Sequence, residues 1–410
     1  MRIENLPWKQ GRCPFGQPNA LVKTESFWRR SLPPTTLRFV TTAVRDVMRL
    51  MLKLGVLGFG GPAAHIAMMR DEVVRRRQWF DDEEFLQMVG ATNLIPGPNS
   101  TEMAMYVGMR RAGVRGLITG GLSFILPAVI IVGAIAWLYV EHGTHPLVFD
   151  LRYGVLPVIV AVIAHAVWGL GAANARNPAG LVTAVTAFGG YLLGLHELIV
   201  IASLGLVWAT VHLVRRGSSR LNSFTGFGFV AILATQPSLT RLFLIFLEVG
   251  SVLYGSGYVL VAFLDSRLVT DHAYLTAEQL LDAIAVGQIT PGPVFTTATF
   301  IGWQILGVAG AALATLGIFG PSFLFVGLLD RILRWLRARP ATLAFLNGVT
   351  VSSLGLMAGV LVRLGDAALV DPLTWIVAIT ALVLLITTKV GAGWLVPVGV
   401  VIGIVHAAAS

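Results

Sequence analysis

Two stretches carry side chains that could handle an anion and a proton together. Gly90–Gly108 reads GATNLIPGPNSTEMAMYVG and sets Pro96, Gly97 and Pro98 beside Asn93, Asn99, Ser100, Thr101 and Glu102. Ala285–Gly302 reads AVGQITPGPVFTTATFIG and repeats the pattern with Gln288, Thr290, Pro291, Gly292, Pro293, Thr296 and Thr297. Proline has no N–H and clashes with the preceding turn, so each Pro-Gly-Pro ends one half-helix and starts another. In lipid, the backbone groups freed by such a break are tolerated only where protein buries them or where they line a wet cavity. A restarted helix aims N–H groups and the positive end of its dipole backwards, which suits an oxyanion. The surrounding amides and hydroxyls could donate as well, although Asn99 and Ser100 are equally suited to capping the new helix.

Titratable groups add proton chemistry to this picture. Glu102 lies one turn past the first break, and Asp282 lies shortly before the second. A carboxylate inside an apolar segment is a functional candidate unless it is structurally paired with an arginine or lysine. Lys53 and Glu248 are further intramembrane charges, at aligned positions. His65 follows Gly60, Gly61 and Pro62 and could donate to an anion, carry a proton or simply pack. Arg70 and Arg77 bound a basic run that could attract anions, or that only fixes topology. The FGGP run around Gly60 and the YGSG run after Leu253 allow close backbone approach to an ion or to another helix.

The elements that must position these residues are membrane helices. Of 410 residues, 55% are hydrophobic and only 12% are charged, and the mean hydropathy is +0.77. Apolar stretches of spanning length recur from Arg45 onward, the pattern of a multi-pass helical protein in a lipid bilayer. The first residues lack the long apolar run of a cleaved leader. The net charge of +9 comes from arginines beside apolar spans, which points to topology and away from nucleic acid. Cys13 stands alone, no HExxH or Walker pattern occurs, and no cofactor or metal is expected.

An internal duplication explains the layout. An offset of 195 residues aligns Phe59-Gly60 with Tyr254-Gly255, Trp79 with Tyr274, and Pro96-Gly97-Pro98 with Pro291-Gly292-Pro293. One residue less aligns Pro127 with Pro321 and Gly154 with Gly348. The expected organisation is a cytoplasmic tail over 1–40, a first repeat over 45–213, a linker over 214–240 and a second repeat over 241–408. The loop Glu141–Asp150 has no Lys or Arg, whereas its counterpart carries Arg331, Arg334, Arg337 and Arg339, so the repeats should be inverted in the membrane. That requires one extra crossing in the linker, and Leu221–Leu239 is available for it. Keeping Arg70–Arg77 on the side of Arg110, Arg111 and Arg115 favours re-entrant or strongly broken hairpins. The predicted class is thus an all-α polytopic membrane protein of two homologous halves in inverted topology, broken at Pro-Gly-Pro. The N-terminus is expected to be cytoplasmic and the C-terminus periplasmic. Interrupted segments at matching places in two halves point to a transporter's binding site.

The runs FGGPAAHIAMM and NLIPGPNSTEMAMYVG, with ITPGPVFTTATFIG in the second copy, resemble the two-domain type of the chromate ion transporter family. The resemblance covers nearly everything from Leu50 onward. It implies export of chromate across the inner membrane, driven by the proton motive force and conferring chromate resistance; no redox cofactor motif is visible and Cys13 stands alone, so no catalysis is expected. The second copy departs from the first: YGSG replaces FGGP, His65 has no counterpart, and Val294 stands where Asn99 does. Residue chemistry alone reaches only an anion-suited inverted-repeat transporter. It leaves open a sulfate or other oxyanion carrier, an anion channel, an intramembrane enzyme built on Glu102 and Asp282, sulfate as a competitor, and a homodimer.

Overall fold

The computed structural model describes residues 37–59, 61–142, 146–174, 177–215, 236–253, 259–337, 339–388 and 392–409. Gly60, the YGSG run, residues 1–36 and nearly all of the expected linker crossing lie outside the described residues. Val44–Ser410 forms one compact unit. The other unit, Met1–Ala43, is described only from Leu37, where the first helix begins.

Every regular element among the described residues is helical. The first repeat contains α1 (Leu37–Leu57), α2 (Gly61–Arg70) running into a π-helical turn (Asp71–Arg76), α3 (Asp82–Thr92), α4 (Asn99–His142), α5 (Pro146–Asn174), α6 (Pro178–Leu192) and α7 (Glu197–Arg215). The second contains α8 (Leu239–Val252), α9 (Val259–Leu264) running into a π-helical turn (Asp265–Asp271), α10 (Ala277–Ile289), a 3-10 turn (Val294–Thr296), α11 (Thr297–Gly327), α12 (Leu329–Arg337), α13 (Pro340–Ala368), α14 (Pro372–Thr387) and α15 (Ala392–Ala409). Five of these stretches are long and apolar enough to cross a membrane, and three shorter helices are also apolar.

Helix α4 is two helices in one run. At Ala112 and Gly113 the backbone leaves helical geometry (φ −141° and 62°), and the chain doubles back. A Cβ on Gly120 would stand 2.8 Å from the Ala104 carbonyl, and the Gly108 and Gly116 backbones touch. Residues 99–111 therefore lie antiparallel to residues 114–142. Arg110 reaches Glu84 at 2.8 Å, which brings the end of residues 99–111 back to the start of α3. The eleven residues of α3 extend only about 16 Å, roughly half the hydrocarbon thickness. The first break is thus the tip of a re-entrant hairpin. Helix α11 does the same at Leu306 and Gly307, with Thr299 and Thr315 hydroxyls paired at 2.8 Å. A second hairpin per repeat forms where α1 meets α2, and Lys53 of α1 pairs with Glu72 at 2.6 Å across it.

The long arms of α4 and α11 are equivalent by the duplication and run antiparallel. Gly121 lies against Phe323 and Leu117 against Gly327. As one number rises the other falls, so the repeats are inverted. Helices in lipid have no hydrophobic drive to associate and need close contact, which small residues permit. Gly154 of α5 meets Gly399 of α15, and the equivalent Gly348 of α13 meets Gly205 of α7. Helix α5 also packs on α14, and α13 on α6, so each repeat is covered by the other.

Candidate anion site at the broken helices

The two breaks are tied to the opposite repeat by the same hydrogen bond. Gly97 N–H donates to the Leu253 carbonyl at 2.9 Å, and Gly292 N–H donates to the Gly58 carbonyl at 2.8 Å. Offset by 195, these are one contact made twice, between a Pro-Gly-Pro tip and the end of the other repeat's first helix. Two N–H groups at the breaks are therefore engaged with protein. Both glycines have φ in the left-handed region, +132° and +92°, which an L side chain rarely adopts. Pro96, Pro98, Pro291 and Pro293 are buried around them.

On the first tip, Thr92 Oγ1–H donates to Asn99 Oδ1 at 3.0 Å, and the Asn99 amide donates to Asn93 Oδ1. This chain bridges the end of α3 to the start of α4 through side chains; it is not the backbone N–H cap open to Asn99 from sequence. Ser100 is buried, and Thr101 is buried with its hydroxyl lacking a hydrogen-bond partner. Glu102 is fully buried in the first turn of α4; its Oε1 accepts from Ser322 Oγ at 3.2 Å, and its Oε2 has no hydrogen-bond partner. Ser322 follows Pro321 in α11, so the carboxyl spans both repeats. A Cβ on Gly97 would collide with the Glu102 carboxyl and Ser322 Oγ, which places all three at one point.

The second tip has the same backbone with different chemistry. Thr297 occupies the position of Glu102 and returns its hydroxyl to the Val294 carbonyl at 2.8 Å. Ala128 occupies the position of Ser322 and lies against Gly292. Thr290 and Thr296 also bond backbone carbonyls, of Val286 and Pro293, and Gln288 is buried. His65 is buried beside this tip. Its Nε2 lies 3.0 Å from the Gly58 carbonyl that Gly292 also uses, its Nδ1 has no hydrogen-bond partner, and its ring stands edge-on to Phe124. Gly61 is buried with φ +76°.

Other sequence candidates are engaged elsewhere. Asp282 of α10 accepts from Arg152 at 2.6 Å and from Tyr139 Oη at 2.5 Å, bracing α10 against α5 and α4. Arg70 pairs with Asp82 at 2.8 Å, while Arg77 lies 3.3 Å from Glu72 and stacks over Trp79. Lys53, seconded by Arg77, holds the Glu72 carboxyl below its ordinary value despite burial acting the other way.

Sequence reasoning did not find Ser322, Arg152, Tyr139, or a cluster around Arg267. A polarity difference between Ala128 and Ser322, at aligned places after aligned prolines, is the signal that could have found Ser322. In the cluster, ligand atoms of His196, Glu197 and Asp271 lie within 4.8 Å of one another. Arg267 Nη1 sits 3.1 Å from His196 Nε2 and 2.9 Å from Asp271, so a guanidinium stands where a cation would bind.

The sequence model of the chromate transporter family matches residues 45–209 and again 240–404. A probable chromate transport protein of Synechococcus elongatus is 31% identical over 357 residues, 83% of this chain and 89% of that protein. A chromate transport protein of Cupriavidus metallidurans is 31% identical over 363 residues, 85% of this chain and 89% of that protein. An uncharacterized transporter of Bacillus subtilis, YwrB, is 34% identical over 156 residues, 38% of this chain and 78% of its own length. No solved structure matches the chain. With one family unit in each inverted repeat, the chain belongs to the chromate transporter family.

Proposed function

We propose that this protein is a secondary transporter that exports chromate across the inner membrane, drawing on the proton motive force, and so confers chromate resistance. The observation that carries the reading is the buried Glu102 carboxyl at the Gly97 tip, shared with Ser322 of the opposite repeat. The dianion binds before the restarted helices, where the N–H groups of a first helical turn have no acceptor of their own helix. Asn93, Asn99, Ser100 and Thr101 on one tip, and Gln288, Thr296 and Thr297 on the other, are the side chains nearest that position in the chain. It leaves as one repeat rocks against the other. A contact that joins the repeats at a titratable group lets protonation bias that motion, and Glu102 is the group through which protons exchange for cargo. The cargo also feels the membrane potential: at about 2.3 kcal/mol per charge per 100 mV, a dianion gains about 4.6 kcal/mol per 100 mV on leaving an inside-negative cell.

Chromate and sulfate present the same tetrahedral oxygens. The test is uptake of radiolabelled chromate into inverted vesicles, with and without an imposed pH gradient, and with excess sulfate. Saturable accumulation that falls when the gradient is removed supports the reading. Accumulation of sulfate without chromate overturns the substrate assignment.

A further inference from the structure

The π-helical turns that follow the first hairpins have the same backbone and opposite charge. In the first repeat an anion is central: Glu72 lies 2.6 Å from Lys53, 3.5 Å from Arg76 and 3.3 Å from Arg77. In the second a cation is central: Arg267 lies 2.6 Å from Glu248, 2.9 Å from Asp271 and 3.8 Å from Glu197. The 195-residue offset pairs Glu72 with Arg267, Lys53 with Glu248 and Arg76 with Asp271, so every sign is reversed. The scaffold is retained, since the equivalent residues Gln78 and Ala273 share φ 50°. The aromatic contact is retained too: Arg77 stacks on Trp79, and His272 on the equivalent Tyr274. Residues 70–77 hold four arginines against one aspartate and one glutamate, net +2, while residues 265–272 hold one arginine against two aspartates, net −1.

Among the three equivalent positions either order of signs makes the same pairs, although Glu197 of α7 adds a further buried carboxylate beside Arg267. Because the repeats are inverted, the two turns face opposite sides of the membrane. The positive-inside rule accounts for the arginines on one side, but Asp and Glu contribute little to it, so the acidic turn is not explained by topology. For an anion, a positive mouth raises local concentration and a negative one lowers it. A cleft of about 350 Å³ opens beside this cluster, lined by Lys53, Leu57, Met68, Asp71, Glu72 and Arg76 among others; its two cations and two carboxylates balance, and the positive excess of the turn comes from Arg70, Arg75 and Arg77.

We propose that the charge-inverted clusters make the two mouths unequal for oxyanions: the Lys53–Glu72–Arg76 side collects them from the cytoplasm, and the Glu248–Arg267–Asp271 side disfavours their return. The inference rests on the transport reading above and on its orientation. It concerns affinity at each face and leaves the driving force unchanged.

The test compares half-saturating chromate in inside-out and right-side-out vesicles at ionic strengths of about 0.01 M and 1 M, where the screening length falls from about 30 Å to about 3 Å. At low salt, half-saturation from the outer face is about tenfold higher than from the inner, and the two converge at high salt. The triple variant Glu248→Lys, Arg267→Glu, Asp271→Arg, made in a Glu197→Gln background so that two carboxylates do not meet, copies the inner order of charges while keeping them paired. It lowers outer half-saturation several-fold and leaves the inner value in place. Asp271→Asn alone shifts the outer value in the same direction by less, and serves if the triple variant fails to fold. Equal half-saturation at both faces in low salt, or no response to Asp271→Asn, overturns the inference while transport stands. Absence of saturable flux from either face overturns the transport reading itself.

Discussion

At the scale of single residues, the Gly97 tip leaves no room for a side chain. Its φ of +132° is unfavourable for any L residue, and an added Cβ would run into Glu102 and Ser322. Gly97→Ala is expected to lose about 1–3 kcal/mol and most chromate flux, read by the melting of the purified protein and by vesicle uptake. Gly292→Ala meets the Ala128 methyl at 2.7 Å and should behave alike if the tips are structurally equivalent. Glu102→Gln is a different case, since the amide keeps a partner in Ser322 and removes only the titration. The variant should fold normally and transport chromate with no response to an imposed pH gradient; an unchanged response would end the proton-site proposal. Glu102 was legible in the sequence because a carboxylate in an apolar run stands out. Ser322 was not, because hydroxyls are common in membrane helices, where they return to their own backbone.

At the scale of elements, the re-entrant hairpins are held by ion pairs at their bases and by glycine contacts along their arms. The Asp282–Arg152–Tyr139 brace anchors α10, and the side chains of Asp282 and Arg152 are only 8% and 16% exposed. Removing one partner of a buried pair strands the other charge, so Asp282→Asn should destabilise by about 3 kcal/mol. Arg152 would retain Tyr139 and a more distant Glu278 at 3.9 Å. Exchanging the pair, Asp282→Arg with Arg152→Asp, separates bracing from proton transfer. Recovery of both melting temperature and flux marks a brace; recovery of stability without flux assigns Asp282 a place in coupling. Glu72 gives a pH signature outside the spans. Its carboxyl is held below the ordinary value by Lys53 and Arg77, so this stabilisation is complete above that ordinary value, about 4.3, and is lost as pH falls through the depressed one. Thermal melts should therefore show an acid destabilisation that Glu72→Gln abolishes. The breaks themselves were legible from proline chemistry. The reversal at Ala112 and Gly113 was not legible, since an Ala-Gly pair does not announce a turn of that sharpness.

At the scale of the whole molecule, neither repeat owns its core. Helix α5 of the first repeat is covered by α14 and α15 of the second, and α13 of the second by α6 and α7 of the first. The duplication could be read from the offset, and the inversion from unequal arginine counts in matching loops. This interdigitation could not, because an apolar helix face does not record which copy covers it. The exchange has a consequence for assembly. A single repeat made alone would expose the backbone at Gly154 or Gly348 to lipid, and its Pro-Gly-Pro tip would lose the carbonyl that accepts from it. An unsatisfied backbone group costs several kcal/mol in hydrocarbon, and each tip would have one. Chains cut within residues 216–235 and expressed together should therefore co-purify as one complex that transports chromate, provided the second piece inserts in its own orientation. Either piece alone should be degraded. The match to YwrB over a stretch of about one repeat's length shows that a shorter chain can carry this unit, which makes the two-chain form a reasonable assembly. If the first piece alone proves stable and monomeric in detergent, the exchanged packing of α5 and α13 is not what holds the fold, and the repeats are domains that merely touch.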